Sequence, residues 1–112
     1  MITPKAIEGV QVAAADTALY TSEDVQGVRS VVKKLVFCNT SAVSVTVTVH
    51  LVPKGGATGV ANAIWDAKVI QAHQTIECYE AENQALERGD ILSAIASAAV
   101  SITGRGTVAV LS

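Results

Sequence analysis

Val43-Ser44-Val45-Thr46-Val47-Thr48-Val49-His50-Leu51 alternates apolar and polar residues without a break. A period of two places Val43, Val45, Val47, Val49 and Leu51 on one face of a strand and Ser44, Thr46, Thr48 and His50 on the other. A helix would scatter both sets around its circumference. One face therefore packs a core, and the other meets solvent or a partner. Upstream, residues 28–38 are rich in Val, interrupted by Lys33-Lys34, and read as a second strand. Asn39-Thr40-Ser41-Ala42 lies between the two, and its Asn, Thr and Ser suit a turn. The two strands are expected to form one long antiparallel hairpin.

Downstream, Pro53-Lys54-Gly55-Gly56-Ala57-Thr58-Gly59 breaks the pattern. Pro cannot donate to a ladder and the glycines free the backbone, so this is a loop. Residues 60–66 read either as one helical turn or as loop. Residues 68–70 and 75–79 are short strands around 71–74, and the polar stretch 81–88 suits a short turn of helix. Gly89-Asp90 is a turn signal. Strands follow at 91–96, 100–103 and 107–111, with Gly104-Arg105-Gly106 read as a tight turn between the last two. Towards the N-terminus, 10–12 and 18–20 are weaker strands and 22–27 is a polar loop. The count is about seven or eight short strands, with turns at the spacing of a sandwich. The expected fold is an all-β antiparallel β-sandwich, jelly-roll or immunoglobulin-like. It forms one domain over 1–112, with 1–9 as a candidate extended N-terminal arm.

Composition fits this. Of 112 residues, 50% are hydrophobic and only 4% aromatic, so the core is built from Val, Ala, Ile and Leu. Such side chains pack on pleated sheet rather than around a large ligand cavity. The net charge of -2, with no cation cluster beyond Lys33-Lys34, argues against binding a nucleic-acid backbone. No apolar run is long enough to cross a bilayer, and Met1-Ile2-Thr3-Pro4-Lys5 lacks the features of a signal peptide. Synthesis and retention in a cytoplasm are expected until the chain joins something else. Cys38 and Cys78 read as two buried thiols acting as small hydrophobes, with a disulfide or a metal pair as the alternatives.

Little in the chain points to chemistry. His50 and His73 lack metal-ligand spacing. Glu77, Glu80, Glu82, Glu87 and Asp90 read as a solvated acidic stretch rather than catalytic carboxylates or a calcium loop. Pro53-Lys54-Gly55-Gly56 lacks the spacing of a phosphate loop, and no Gly-x-Ser-x-Gly elbow exists. No enzyme activity, cofactor or metal is expected. Trp65 either closes the edge of the core or anchors an interface, where Trp is enriched. Tyr20 and Tyr79 are similarly divided. Arg29, Lys33 and Lys34 either pair with acids on a neighbour or solvate a strand face.

The order of these pieces resembles a family of small bacteriophage virion β-sandwich proteins. The resemblance runs from about residue 10 onward over nearly the whole chain, where turn and strand signals alternate throughout. It is carried by Ala18-Leu19-Tyr20-Thr21, by 31–38 with Asn39-Thr40-Ser41, and by 43–52 with Pro53-Lys54-Gly55-Gly56. Gln74-Thr75-Ile76-Glu77, Leu86-Glu87-Arg88-Gly89-Asp90-Ile91 and Val100-Ser101-Ile102-Thr103-Gly104 complete it. In the Gly89-Asp90 element, Asp90 can bond nearby backbone amides. None of these residues does chemistry. The resemblance implies a virion structural protein made in the host cytoplasm, with other virion proteins (major capsid or tail subunits) as partners and a homo-oligomeric state. Capsid decoration or cement is the first role it implies; a tail, baseplate or fibre-associated role is the alternative. A carbohydrate-binding module is a further alternative, weakened by the shortage of aromatic rings.

Overall fold

The computed structural model describes residues 2–56, 58–59, 62–98 and 102–111. They form β1 (Ile2–Val12), β2 (Thr17–Thr21), β3 (Arg29–Asn39), β4 (Val45–Val52), β5 (Ala63–Ile70), β6 (Thr75–Glu77), β7 (Ala85–Leu86), β8 (Ile91–Ala96) and β9 (Ile102–Leu111), with one 3-10 turn at Tyr79–Ala81. One sheet has the order β1-β9-β3-β6, with β7 also on β3; the other has the order β2-β8-β4-β5. All pairs are antiparallel. This interleaving is a jelly roll, which settles the choice left open between jelly-roll and immunoglobulin-like sandwiches. The short β6 and β7 occupy successive lengths of β3, opposite Val36–Cys38 and Ser30–Val31 respectively, so eight strand positions carry nine strands.

Among the described residues, β4 and β5 are the one pair of consecutive strands that hydrogen-bond to each other. The hairpin expected from 28–38 and 43–52 is therefore overturned. β3 and β4 lie in different sheets, and the chain arches from one to the other across residues 40–44. Buried Asn39 holds that arch. Its Nδ2 donates to the carbonyls of Val43 (2.8 Å), Ile70 (3.0 Å) and Gln71 (3.2 Å), and its Oδ1 accepts from Ser41 N–H and Oγ–H. These bonds hold residues 40–44 in the arch, so β4 begins only at Val45 and Val43 is exposed rather than in the core.

From Val45 the alternation holds. Val45, Val47 and Val49 are fully buried, packed with Leu35, Phe37, Ile70, Leu92 and Val108. Among the described residues, Phe37 and Trp65 form the one aromatic contact, with centroids 5.7 Å apart and rings tilted by 32°.

Gly104-Arg105-Gly106 is not a turn but the middle of β9, a second correction. Gly104 faces inward, where an added Cβ would lie 3.0 Å from the Phe37 ring. At Gly106 an added Cβ would overlap the carbonyl oxygen of Lys34, beside the bulge at Val32/Lys34 in β3. The two glycines let β9 approach its neighbours closely. Of the 100–103 strand, Val100 and Ser101 lie outside the described residues, as do Val60 and Ala61 of the ambiguous 60–66 stretch. Residues 63–66 of that stretch are the first half of β5, so neither a helical turn nor a loop holds there. Residues 2–9, read from sequence as a candidate arm, run along β9 as part of β1.

Candidate functional site

The two sheets turn their outer faces to solvent, and each carries a groove. On the five-stranded sheet, Val36 and Cys38 of β3, Thr75 of β6, and Thr103 and Arg105 of β9 enclose about 400 Å³ together with Thr40. Alternation produces this: Leu35 and Phe37 point inward, so Val36 and Cys38 point out. On the four-stranded sheet, Thr48, His50, Thr58, Gly59, Ala63, Asp66 and Ile95 enclose about 470 Å³. His50 lies on the polar face of β4, as its spacing requires, yet it is 7% exposed. Its cross-strand neighbour Ser93 is 1% exposed. Neither His50 Nδ1 nor Ser93 Oγ has a hydrogen-bond partner among the described residues.

The sequence-chosen interface residues lie apart. Trp65 is buried in the core, donates from Nε1 to Glu80 Oε2 at 2.7 Å, and lies under the Lys68 ammonium at 5.9 Å. Tyr20 is half-buried, with its hydroxyl 3.1 Å from Ser30 Oγ. Arg29 begins β3 beside that Ser30, and its guanidinium stands 3.9 Å from Glu87, both side chains exposed. Lys33 is exposed at the β3 bulge, and Tyr79 is 69% exposed on the 3-10 turn. Tyr20 and Arg29 thus share one end of β3, while Tyr79 lies elsewhere. The Asn39 hub and the His50 groove were not recognised from sequence.

The Gly89-Asp90 turn works as the sequence suggested and reaches further. Asp90 accepts from Glu87 N–H at 3.0 Å and from Lys54 N–H at 3.1 Å, so one carboxylate joins its own turn to the loop after β4. Gly89 has φ +77°, a left-handed conformation that glycine adopts without a steric cost. Nearby, Asp24 lies 2.6 Å from the Lys54 ammonium and 3.6 Å from Arg88.

Cys78 is fully buried, and burial pushes its thiol up to about 12. Cys38 is half-exposed on the opposite side of the five-stranded sheet, and both thiols are free. A disulfide between side chains on opposite faces would require the backbone to move. A thiol-specific chromogenic reagent is expected to modify one cysteine in the native protein, mapping to Cys38 by mass spectrometry. The second should react only on unfolding; equal native rates would contradict the buried placement of Cys78.

Among the acidic residues, Glu82 stands out. Its shared hydrogen bond with Glu77 holds its carboxyl above the usual carboxylate range, helped by burial and by the Glu77 charge. The Leu35 backbone and the Lys34 charge act in the opposite sense. A carboxyl that binds its proton more tightly when folded contributes stability at low pH and loses it as pH rises through its folded value. Glu82→Gln, which keeps a neutral side chain at all pH, is therefore expected to be more stable than the parent near neutrality. That advantage should shrink on acidification, as followed by urea melts against pH. Asp24, held below the usual range by its bond to Lys54, has the opposite sign: its contribution is lost as pH falls. Glu82→Gln leaves that loss in place, so the variant should weaken more steeply in acid. A constant difference between variant and parent across the range would rule out the shared proton.

Among the described residues, no group of three or more metal-ligating side chains could hold an ion, and no helix is long and apolar enough to cross a membrane. Neither a protein-family model nor a curated protein matches the chain. Two solved structures overlay most of it. One is from the Bacillus endospore appendages, described as a family of disulfide-linked pili. It has a TM-score of 0.56 and 15% identity, covering 99% of this chain and 88% of the other. The other is a chain of infectious bursal disease virus, Gx strain. It has a TM-score of 0.53 and 15% identity, covering 98% of this chain and 31% of the viral one. The chain thus matches about a third of the viral protein, and at such identity the likeness is one of fold.

Proposed function

We propose that this chain is a non-enzymatic structural subunit of a bacteriophage virion that works by binding other subunits, most simply as a capsid decoration protein. The observation that carries this reading is the jelly-roll overlay across nearly the whole chain with a pilus protein and a virus protein. The sequence resemblance to phage virion sandwiches points the same way. A decoration protein needs a small rigid body repeated on a symmetric lattice, where many modest contacts add up to firm attachment. With principal extents of 44 × 26 × 19 Å, this domain is small enough for that role.

The four sheet edges favour contact through faces rather than through strand addition. β1 carries Pro4, Lys5 and a bulge between Ile7 and Val10. β2 has five residues with a bulge, β5 is kinked at Ala67 (φ +47°) with broken register, and the last edge is split between β6 and β7. Prolines, charges, bulges and short length are the devices that stop an edge from recruiting another strand. Among the described residues a carbohydrate platform finds one exposed Phe, Trp or Tyr ring, Tyr79, whereas Phe37 and Trp65 are committed to the core.

Mass spectrometry of purified particles with copy counting tests the reading. A copy number matching the capsid subunits is expected. A few to a few dozen copies would place the chain in the tail, the alternative role. Absence from particles would overturn the virion reading.

A further inference from the structure

We propose that the groove over His50 and Asp66 receives the guanidinium of Arg105 from a second copy of this chain. The outer face of one four-stranded sheet would then stack on the outer face of the next copy's five-stranded sheet. The inference rests on the reading of the chain as an assembling subunit and specifies one contact of that assembly.

Buried polar atoms in folded proteins are nearly always hydrogen-bonded. His50 Nδ1 and Ser93 Oγ break that rule side by side, in register on β4 and β8. The groove that His50 lines also contains the exposed carboxylate of Asp66, which makes no ion pair among the described residues, the hydroxyl of Thr58, and that of Thr48, which already accepts from Ala67 N–H at 3.0 Å. The Asp66 carboxylate and the Thr58 hydroxyl can accept hydrogen bonds, as can an imidazole nitrogen without a proton, and the one formal charge among the groove's lining residues is negative. The complementary occupant is a cation that only donates. A guanidinium meets this requirement best: it offers five N–H donors in a plane and is more weakly hydrated than an ammonium.

The chain holds one arginine suited to the role. Lys5, Arg29, Lys54 and Arg88 each face a carboxylate. Arg105 faces none among the described residues. It is exposed on β9, on the far side of the sandwich, in a groove walled by Val36, Cys38, Thr75 and Thr103. Donor and acceptor surfaces thus lie on opposite faces of one molecule. A contact between them is heterologous, so it repeats from copy to copy and builds a ring or a stack. The guarded sheet edges leave the faces as the available route.

Sedimentation velocity of the full chain over a range of concentrations tests this, with melting temperatures measured alongside. The parent should show concentration-dependent association. Asp66→Asn and Arg105→Gln, both at exposed positions, should each weaken it by at least about tenfold without lowering the melting temperature. The double swap Asp66→Arg with Arg105→Asp should recover it, and Asp16→Asn, in the exposed loop after β1, should leave it unchanged. A parent that stays monomeric throughout overturns the contact. So does association that ignores both single variants. Neither result touches the chain's presence in particles, which copy counting decides separately.

Discussion

Gly106→Ala is expected to lower stability by at least about 3 kcal/mol, enough to leave a marginal domain of this size mostly unfolded when warmed. Its one added carbon would occupy the position of the Lys34 carbonyl oxygen. That oxygen belongs to the backbone of β3, at the bulge where β3 and β9 pair, so no side-chain rotation relieves the overlap. Either the central pair of the five-stranded sheet separates locally, with loss of ladder bonds, or the variant fails to fold. For a domain of this length the loss corresponds to a fall in melting temperature of roughly 10–20 °C. Gly9→Ala is the control, because its added carbon meets only a Thr103 methyl at 3.5 Å, an ordinary contact. A Gly106→Ala protein melting within a few degrees of the parent would show that β3 and β9 do not approach as closely as described.

Asn39→Asp is expected to have the other large effect. The Asn39 amide is fully buried and donates to three carbonyls, from Val43, Ile70 and Gln71. Its backbone N–H donates to Gln74 O at 2.9 Å. One side chain thus fastens the end of β3 to the arch, to the end of β5 and to the 71–74 turn. An aspartate has no N–H to donate and directs a negative oxygen at those carbonyls. Folding would then favour the protonated acid, so the variant should be weakest near neutrality and recover partly on acidification. Asn39→Ala, which removes the donors without adding charge, should cost roughly 3 kcal/mol at all pH values. Urea unfolding of both variants across the acid range separates the two contributions. Parallel curves for Asp and Ala would mean that Asn39 does not face the carbonyls.

Both positions lie at points the linear pattern misreads. Asn39-Thr40-Ser41 has the residues of a hairpin turn, and those residues do bend the chain. The same hydrogen-bonding side chains serve an arch between sheets equally well, and nothing in residues 28–52 says whether the returning strand meets its predecessor or crosses the core. Gly104 and Gly106 read as a turn because glycine permits turns. Their actual role depends on Phe37 and Lys34, more than sixty residues away in sequence. His50 is legible as a polar-face residue of β4, but its burial is not, since that depends on residues of β5 and β8 and on the loop after β4. Asp90 was read correctly because its partner Glu87 is local. Its second partner, Lys54, is distant and was not foreseen.

What the sequence determined by itself is the class of structure and the facing of its residues. A two-residue period is a local property, fixed by the pleat, and it assigned Val45, Val47 and Val49 to the core and Thr46, Thr48 and His50 to the outside before any partner was known. Strand order, the close approach at Gly106, the Asn39 hub and the two grooves were decided only by the tertiary structure. Alternation states which side of a strand is apolar but not which strand lies beside it. Choosing among pairings that bury the same faces takes the whole chain, because the loop entropies, corner bonds and close contacts that distinguish them come from residues far apart in sequence.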